Sequence, residues 1–268
     1  MTEALPPLLL LGGGKMGGAM LAGWREQGLA PSVVVDPAAA HLSEPGVLVV
    51  PDVSAVPAGF RPAAVVLAVK PQQADAAVPG LAPFAAGAVA LSIMAGRTVA
   101  NLQALLPGAP VVRAMPNTPA AIRQGITAAF AGPGVGGAAR ELCDRLLRSI
   151  GEVAWVDDEG HLDAVTAVSG GGPAYVFLLA ELLERSAVEQ GIPPALARRL
   201  ARVTVAGSGA LLAASEADAA DLRVAVTSPG GTTQQALAVL MADGAWPAAV
   251  SRAIAAATRR SQELGALA

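Results

Sequence analysis

The sequence predicts an α/β protein in two parts: an N-terminal Rossmann-type doubly wound sheet over residues 1–158 and a C-terminal all-helical domain over residues 159–268. Three observations lead there. Short aliphatic runs alternate with helix-length segments as far as Val156, the pattern of parallel strands buried on both faces and joined by crossover helices. The stretch LLLLGGGKMGGAM, residues 8–20, sets Gly12, Gly14 and Gly17 in G-x-G-x-x-G spacing directly after the first run and at the start of a helical pattern. After Glu159 strand signals stop, and long Ala/Leu-rich stretches broken at GGGP (170–173), GIPP (191–194), TSPGG (227–231) and DGAWP (243–247) take over.

In chain order, the predicted strands are LLLL (8–11), VVVD (33–36), VLVV (47–50), AAVVLAV (63–69), AVALSIM (88–94), PVVRAM (110–115), GITAAF (125–130) and EVAWV (152–156). Between them, MGGAMLAGWREQGL, PQQADAAVPGL, TVANLQALL and GGAARELCDRLLRSIG are long enough for crossover helices. Further on, AVTAVSGGGPAYVFLLAELLERSAVEQG is apolar nearly all round until Glu181, so its helix needs burial on every side. One small Rossmann domain cannot cover it, which predicts a hydrophobic homodimer interface. Arg198, Arg199 and Arg202 fall close together on the following helix and read as a solvated face pairing with glutamates.

Composition narrows the function. A chain of 268 residues with 53% hydrophobic content can bury a sizeable core. A net charge of −3 and 3% aromatics give neither the basic field nor the stacking surface that nucleic-acid binding needs. MTEALPPLLLL has an acidic residue, no basic segment and too short an apolar run for a signal peptide or membrane span, so a cytoplasmic protein without a membrane partner is expected. Cys143 is the single cysteine, and His41 and His161 are the two histidines; no disulfide within the chain and no metal site are expected.

The glycine fingerprint points to a dinucleotide cofactor. Gly12 turns the chain out of the strand, Gly14 lets a pyrophosphate approach the backbone, and Gly17 packs helix on sheet, with Lys15 and Met16 at the helix start between them. Asp36 ends the second strand about twenty residues on. Its carboxylate either accepts from a ribose hydroxyl and repels a 2′-phosphate, or only closes a turn with Pro37. VVLAVKPQ (65–72) brings Ala68, Lys70 and Pro71 to the carboxyl end of its strand, the edge where open α/β sheets bind ligands. Lys70 sits over the cofactor ribose or phosphates there, or merely snorkels. SIMAG (92–96), with Ala95 and Gly96, and RAMPNTPAAIRQG (113–125) follow strands at the same edge. Asn117, held between prolines, suits the nicotinamide side of the pocket or closes an Asx-turn. A second anion site is implied by VTSPGGTTQQAL (226–237), where a Pro-Gly-Gly turn opens a helix in a stretch without charge; the alternative is an ordinary Thr-capped helix start.

Together, LGGGKMGGAM, VLAVKPQ, SIMAG, RAMPNTPA, AVSGGGPAYVF and VTSPGGTTQQAL resemble the pyrroline-5-carboxylate reductase family over nearly the whole chain. The PNTP loop and the SPGGTT turn are specific to that family, whereas many dehydrogenases share the glycine fingerprint. The resemblance implies a Rossmann domain, a helical domain that interlocks with its partner's, and reduction of 1-pyrroline-5-carboxylate to L-proline with NAD(P)H. It also implies that Ser228 and the backbone N–H groups of Gly231, Thr232 and Thr233 bind the substrate carboxylate, while the Thr233 hydroxyl meets the ring nitrogen as the catalytic contact. A protonated imine is already electrophilic, so such a site mostly supplies position.

Some residues depart from the family pattern. Many members carry an Asn-Arg-Ser type segment for the NADPH 2′-phosphate where this chain has Asp36-Pro37-Ala38, and Asp52 adds another acid near the adenine ribose. NADH is therefore expected, with NADPH tolerated. Gly171 stands where a serine is common. The alternatives are another imine or hydroxyacid dehydrogenase of the same plan, which should show a lysine that this chain's first long C-terminal helix lacks, or a non-catalytic nucleotide-binding sensor.

Overall fold

The computed structural model describes residues 4–266. Within them each aliphatic run forms a strand: β1 (Leu8–Leu11), β2 (Ser32–Val35), β3 (Val47–Val50), β4 (Ala64–Leu67), β5 (Val89–Ser92), β6 (Val111–Met115), β7 (Gly125–Ala131) and β8 (Gly151–Trp155). They make one eight-stranded sheet in the order β3-β2-β1-β4-β5-β6-β7-β8. Its helices are α1 (Lys15–Glu26), α2 (Ala74–Ala77), α3 (Ala82–Ala85), α4 (Val99–Leu105) and α5 (Gly137–Arg148). The second half runs through α6 (His161–Val165), a π-helical turn at Thr166–Gly170, α7 (Gly172–Glu189), α8 (Pro194–Ala214), α9 (Ala219–Ala225), α10 (Thr232–Leu240) and α11 (Trp246–Ala266).

Alternation along the strands builds a core on each face of the sheet. Leu8, Leu10, Val34 and Val66 pack with Met20 and Trp24 of α1 and Leu146 of α5. Leu9, Leu11, Val33 and Val65 face the other way, toward Phe84 of α3 and Val99 and Leu102 of α4. Trp24 Nε1 donates to the Leu146 carbonyl at 2.9 Å, fixing α1 against α5.

Two features differ from the expected pattern. The sheet is not wholly parallel: β7 runs antiparallel to β6, and β8 then runs parallel to β7. The connection from Pro116 to Gln124 is shorter than the dozen or so residues that a parallel crossover takes. It turns through Arg123 at φ 62°, whose guanidinium is held by Glu26 at 2.7 and 2.9 Å. PQQADAAVPGL, expected as one helix, breaks into short turns from Pro71 to Ala85, because Pro79 and Pro83 remove backbone donors.

Contacts divide the chain into two compact units. One runs to Gly170 and takes up the chain again from Ala257; the other is Gly171–Ala256. In the first, Ser261 of α11 donates to Asp163 at 2.6 Å. The second is built differently. Among its described residues the buried apolar side chains are Ala197 and Ala201, while Phe177, Val203, Val226 and Val239 are 63 to 71% exposed. Arg198, Arg199 and Arg202 are exposed as expected, but the glutamate pairing is not seen among the described residues. Exposed pairs gain little against side-chain entropy, so nothing compels them to form.

Candidate active site

β1 lies between β2 and β4, so the strand order reverses there and a crevice opens at the carboxyl edge of the sheet. Gly12 leaves β1 at φ +98°, and a Cβ on it would lie 2.7 Å from the Ala68 carbonyl oxygen at the end of β4. Only glycine fits. A Cβ on Gly17 would stand 2.0 Å from the Gly12 carbonyl oxygen, which is why α1 can press onto its strand. Gly14, by contrast, has open space where a side chain would stand. It caps α1 without a side-chain hydrogen bond and with no acid in the first turn, so the N–H groups beginning at Lys15 and Met16 are free for an anion. These residues fit a dinucleotide pyrophosphate.

The Asp36 carboxylate is bound on both oxygens. Oδ1 accepts from the Ala38 N–H at 2.8 Å and Oδ2 from the Gly13 N–H at 2.7 Å. It therefore closes the turn after β2 and also leans on the glycine loop, and the negative charge stays at the cleft edge. Asp52 accepts from the Ser54 hydroxyl and backbone N–H, which holds its carboxyl below the usual carboxylate range.

Lys70 is exposed and precedes the 3₁₀ turn Pro71–Gln73 just beyond β4. Ala95 and Gly96 follow β5, with Gly96 at φ +72°, where an added Cβ would lie 3.2 Å from the Leu264 Cβ of α11. Asn117 is 8% exposed, and its Oδ1 accepts from the Ile126 N–H at 3.0 Å. This is no Asx-turn: the side chain clamps the β6–β7 connection and keeps its NH₂ without a partner among the described residues. One sheet edge thus gathers all the residues expected to hold a cofactor.

In the second unit, the Gly231 N–H donates to the Ser228 carbonyl at 3.0 Å, and the Gly230 N–H to Gln234 Oε1 at 2.6 Å, with Gly230 at φ +70°. The Gly231 N–H, expected to reach a substrate carboxylate, is engaged within the turn. The N–H groups of Thr232 and Thr233 remain, at the first turn of α10 that opens after the Ser228–Gly231 turn. Gly231 caps α10 with no side-chain bond, so the threonines are not the cap.

Sequence reasoning missed Arg97 and Glu159. Arg97 is 6% exposed and reaches Asp75 and the Pro71 carbonyl, and its guanidinium holds the Asp75 carboxyl below the usual range. Glu159 Oε1 accepts from the Val99 N–H at 2.8 Å and from Arg113 at 3.0 Å. Neither carries a local signal, because the partners are remote in sequence. Burial pushes the Cys143 thiol up to about 12, so it stays protonated and is no nucleophile. Among the described residues no group of three or more His, Cys, Asp or Glu side chains could hold a metal.

A Rossmann sheet with an open glycine cradle, continued by an apolar helical region, defines a two-domain oxidoreductase of the dinucleotide-binding class. A family model described as coenzyme F420-dependent NADP oxidoreductase matches residues 8–96, and one described as pyrroline-5-carboxylate reductase dimerisation matches residues 159–264. The chain is 38% identical to a pyrroline-5-carboxylate reductase of Pseudomonas aeruginosa over 97% of both chains, and 38% identical to one of Mycobacterium tuberculosis over 98% of both. The solved Coxiella burnetii pyrroline-5-carboxylate reductase superposes with a TM-score of 0.87 at 32% identity, covering 96% of this chain and 97% of that one. The chain belongs to the pyrroline-5-carboxylate reductase family.

Proposed function

We propose that the protein reduces 1-pyrroline-5-carboxylate to L-proline with a reduced nicotinamide dinucleotide, working as a homodimer in the cytoplasm. The observation that carries this reading is the full-length likeness to such reductases, joined to a helix start at Thr232 and Thr233 that offers N–H groups and hydroxyls to an anion without any charged side chain. A small cyclic imino acid carries one carboxylate and needs little more.

The dinucleotide, when bound, supplies a hydride from C4 of its nicotinamide ring. The chain's own residues hold and orient. The start of α1 takes the pyrophosphate, Lys70 lies over phosphate or ribose, and the free NH₂ of Asn117 meets the nicotinamide side. Ser228 with the N–H groups of Thr232 and Thr233 fixes the carboxylate, and the Thr233 hydroxyl aligns the ring nitrogen so that the imine carbon faces the hydride. We assign residues 159–268 to substrate binding and dimerisation, in line with the matched dimerisation model. Residues His161–Glu189 are long and apolar enough to cross a membrane, at mean hydropathy 1.3, but they lie inside that matched region; a second copy of the chain is the surface that covers them.

NADH is the preferred cofactor, with NADPH accepted. Asp36 holds a carboxylate against the glycine loop at the end of β2, which would repel a 2′-phosphate there, and the segment Asp36–Ser43 has no lysine or arginine to offset it. The Plasmodium falciparum pyrroline carboxylate reductase was solved with NADP bound, at 25% identity and a TM-score of 0.84, so the fold admits that phosphate in a relative. Initial rates with pyrroline-5-carboxylate and each cofactor test this. Higher kcat/KM with NADH is expected. A higher value with NADPH would remove the role given to Asp36 and keep the reductase; binding without turnover would favour a sensor.

A further inference from the structure

We infer that Arg97 is a positioning residue that locks the loop after β4, carrying Lys70 and Pro71, to the loop after β5, carrying Ala95 and Gly96, and so sets how tightly the dinucleotide is held. The inference rests on the reading of those loops as cofactor loops. β4 and β5 are adjacent parallel strands, so their loops leave the same edge side by side. Arg97 follows Gly96 directly, and its guanidinium reaches across to three acceptors. Nη1 and Nη2 meet the two Asp75 oxygens at 2.8 Å each, and Nη2 also donates to the Pro71 carbonyl at 2.9 Å.

This is the bidentate fork that only arginine supplies. The Pro71 carbonyl also accepts from the Ala74 N–H that closes its 3₁₀ turn, so the arginine grips the turn that Lys70 caps. The side chain is 7% exposed and its Nε is buried without a hydrogen-bond partner, whereas Asp75 is 66% exposed. Burying an unpaired donor is unfavourable, so the loop keeps this geometry against a local penalty. On the other side, Gly96 is backed by Leu264 and Gly265 of α11. The loop after β5 is thus held from both sides, and Arg97 makes its polar link to the neighbouring loop.

The test uses the full-length protein with Arg97→Met and Asp75→Asn, measuring Kd for NADH and NADPH by nicotinamide fluorescence, melting temperature, and KM for pyrroline-5-carboxylate. Arg97→Met is expected to raise the dinucleotide Kd about tenfold, the loss that a charge-assisted hydrogen bond of ordinary strength represents. Asp75→Asn, at an exposed position, should weaken binding about threefold with an unchanged melting temperature. In both, KM for the imine measured at saturating cofactor should stay put, which a general loss of structure would not allow. If Arg97→Met does not fold, Asp75→Asn decides. Wild-type affinity in the folded variants overturns the inference while leaving the cofactor site intact; wild-type protein that binds neither dinucleotide overturns the site itself and the inference with it.

Discussion

Gly12 carries two constraints at once, a φ of +98° and a neighbouring carbonyl 2.7 Å from any Cβ. Gly12→Ala should therefore lose about 1–3 kcal/mol from strain alone, before the overlap with Ala68 is counted. Thermal melting with and without NADH checks this, and an unchanged melting temperature would contradict it. The residue was legible because the fingerprint spacing encodes its geometry. Asp36 was legible as an acid at a strand end, but its contacts to the Ala38 and Gly13 N–H groups were not. Arg97 and Glu159 left no trace in the sequence. Their acceptors and donors lie 22 to 60 residues away along the chain, and a buried guanidinium looks like any other arginine in a string of letters.

At the scale of elements, β1, β2, β4 and β5 were readable because their aliphatic runs are buried on both faces, which admits few other readings. β3, β7 and β8 are only partly buried and were read from short apolar runs between turn signals. Strand direction was harder. β7 reverses because the PNTP connection is short, and only connection length, weighed against the needs of a crossover, could have announced it. The start of α10 is where the proposed substrate contacts fall. Its cap is a glycine and the turn engages the Gly230 and Gly231 donors internally, leaving Thr232 and Thr233 exposed at the positive end of the helix. Thr233→Ala removes the hydroxyl and leaves the helix intact. kcat/KM for pyrroline-5-carboxylate should fall on the order of a hundredfold, the scale of a lost orienting contact, with NADH affinity unchanged. A variant with wild-type kcat/KM would exclude Thr233 from the reaction.

At the scale of the whole molecule, the apolar helical pattern and the matched dimerisation region point to homo-oligomerisation. Phe177, Val203, Val226 and Val239 would be left in water by a lone copy. On the proposed homodimer, an obligate interface would bury on the order of 2,000–5,000 Å², and such dimers often have no stable folded monomer. Melting temperature should accordingly rise with protein concentration, and light scattering should give at least the mass of two chains. A stable monomer at micromolar concentration would contradict this. The chemistry itself is tested most directly by following the hydrogen. With NADH deuterated at the transferred C4 position and pyrroline-5-carboxylate as substrate, mass spectrometry should find one deuterium at C5 of proline for each dinucleotide oxidised. Cofactor oxidation without deuterated proline, or no oxidation by a protein that binds both ligands, would contradict direct hydride transfer at this site.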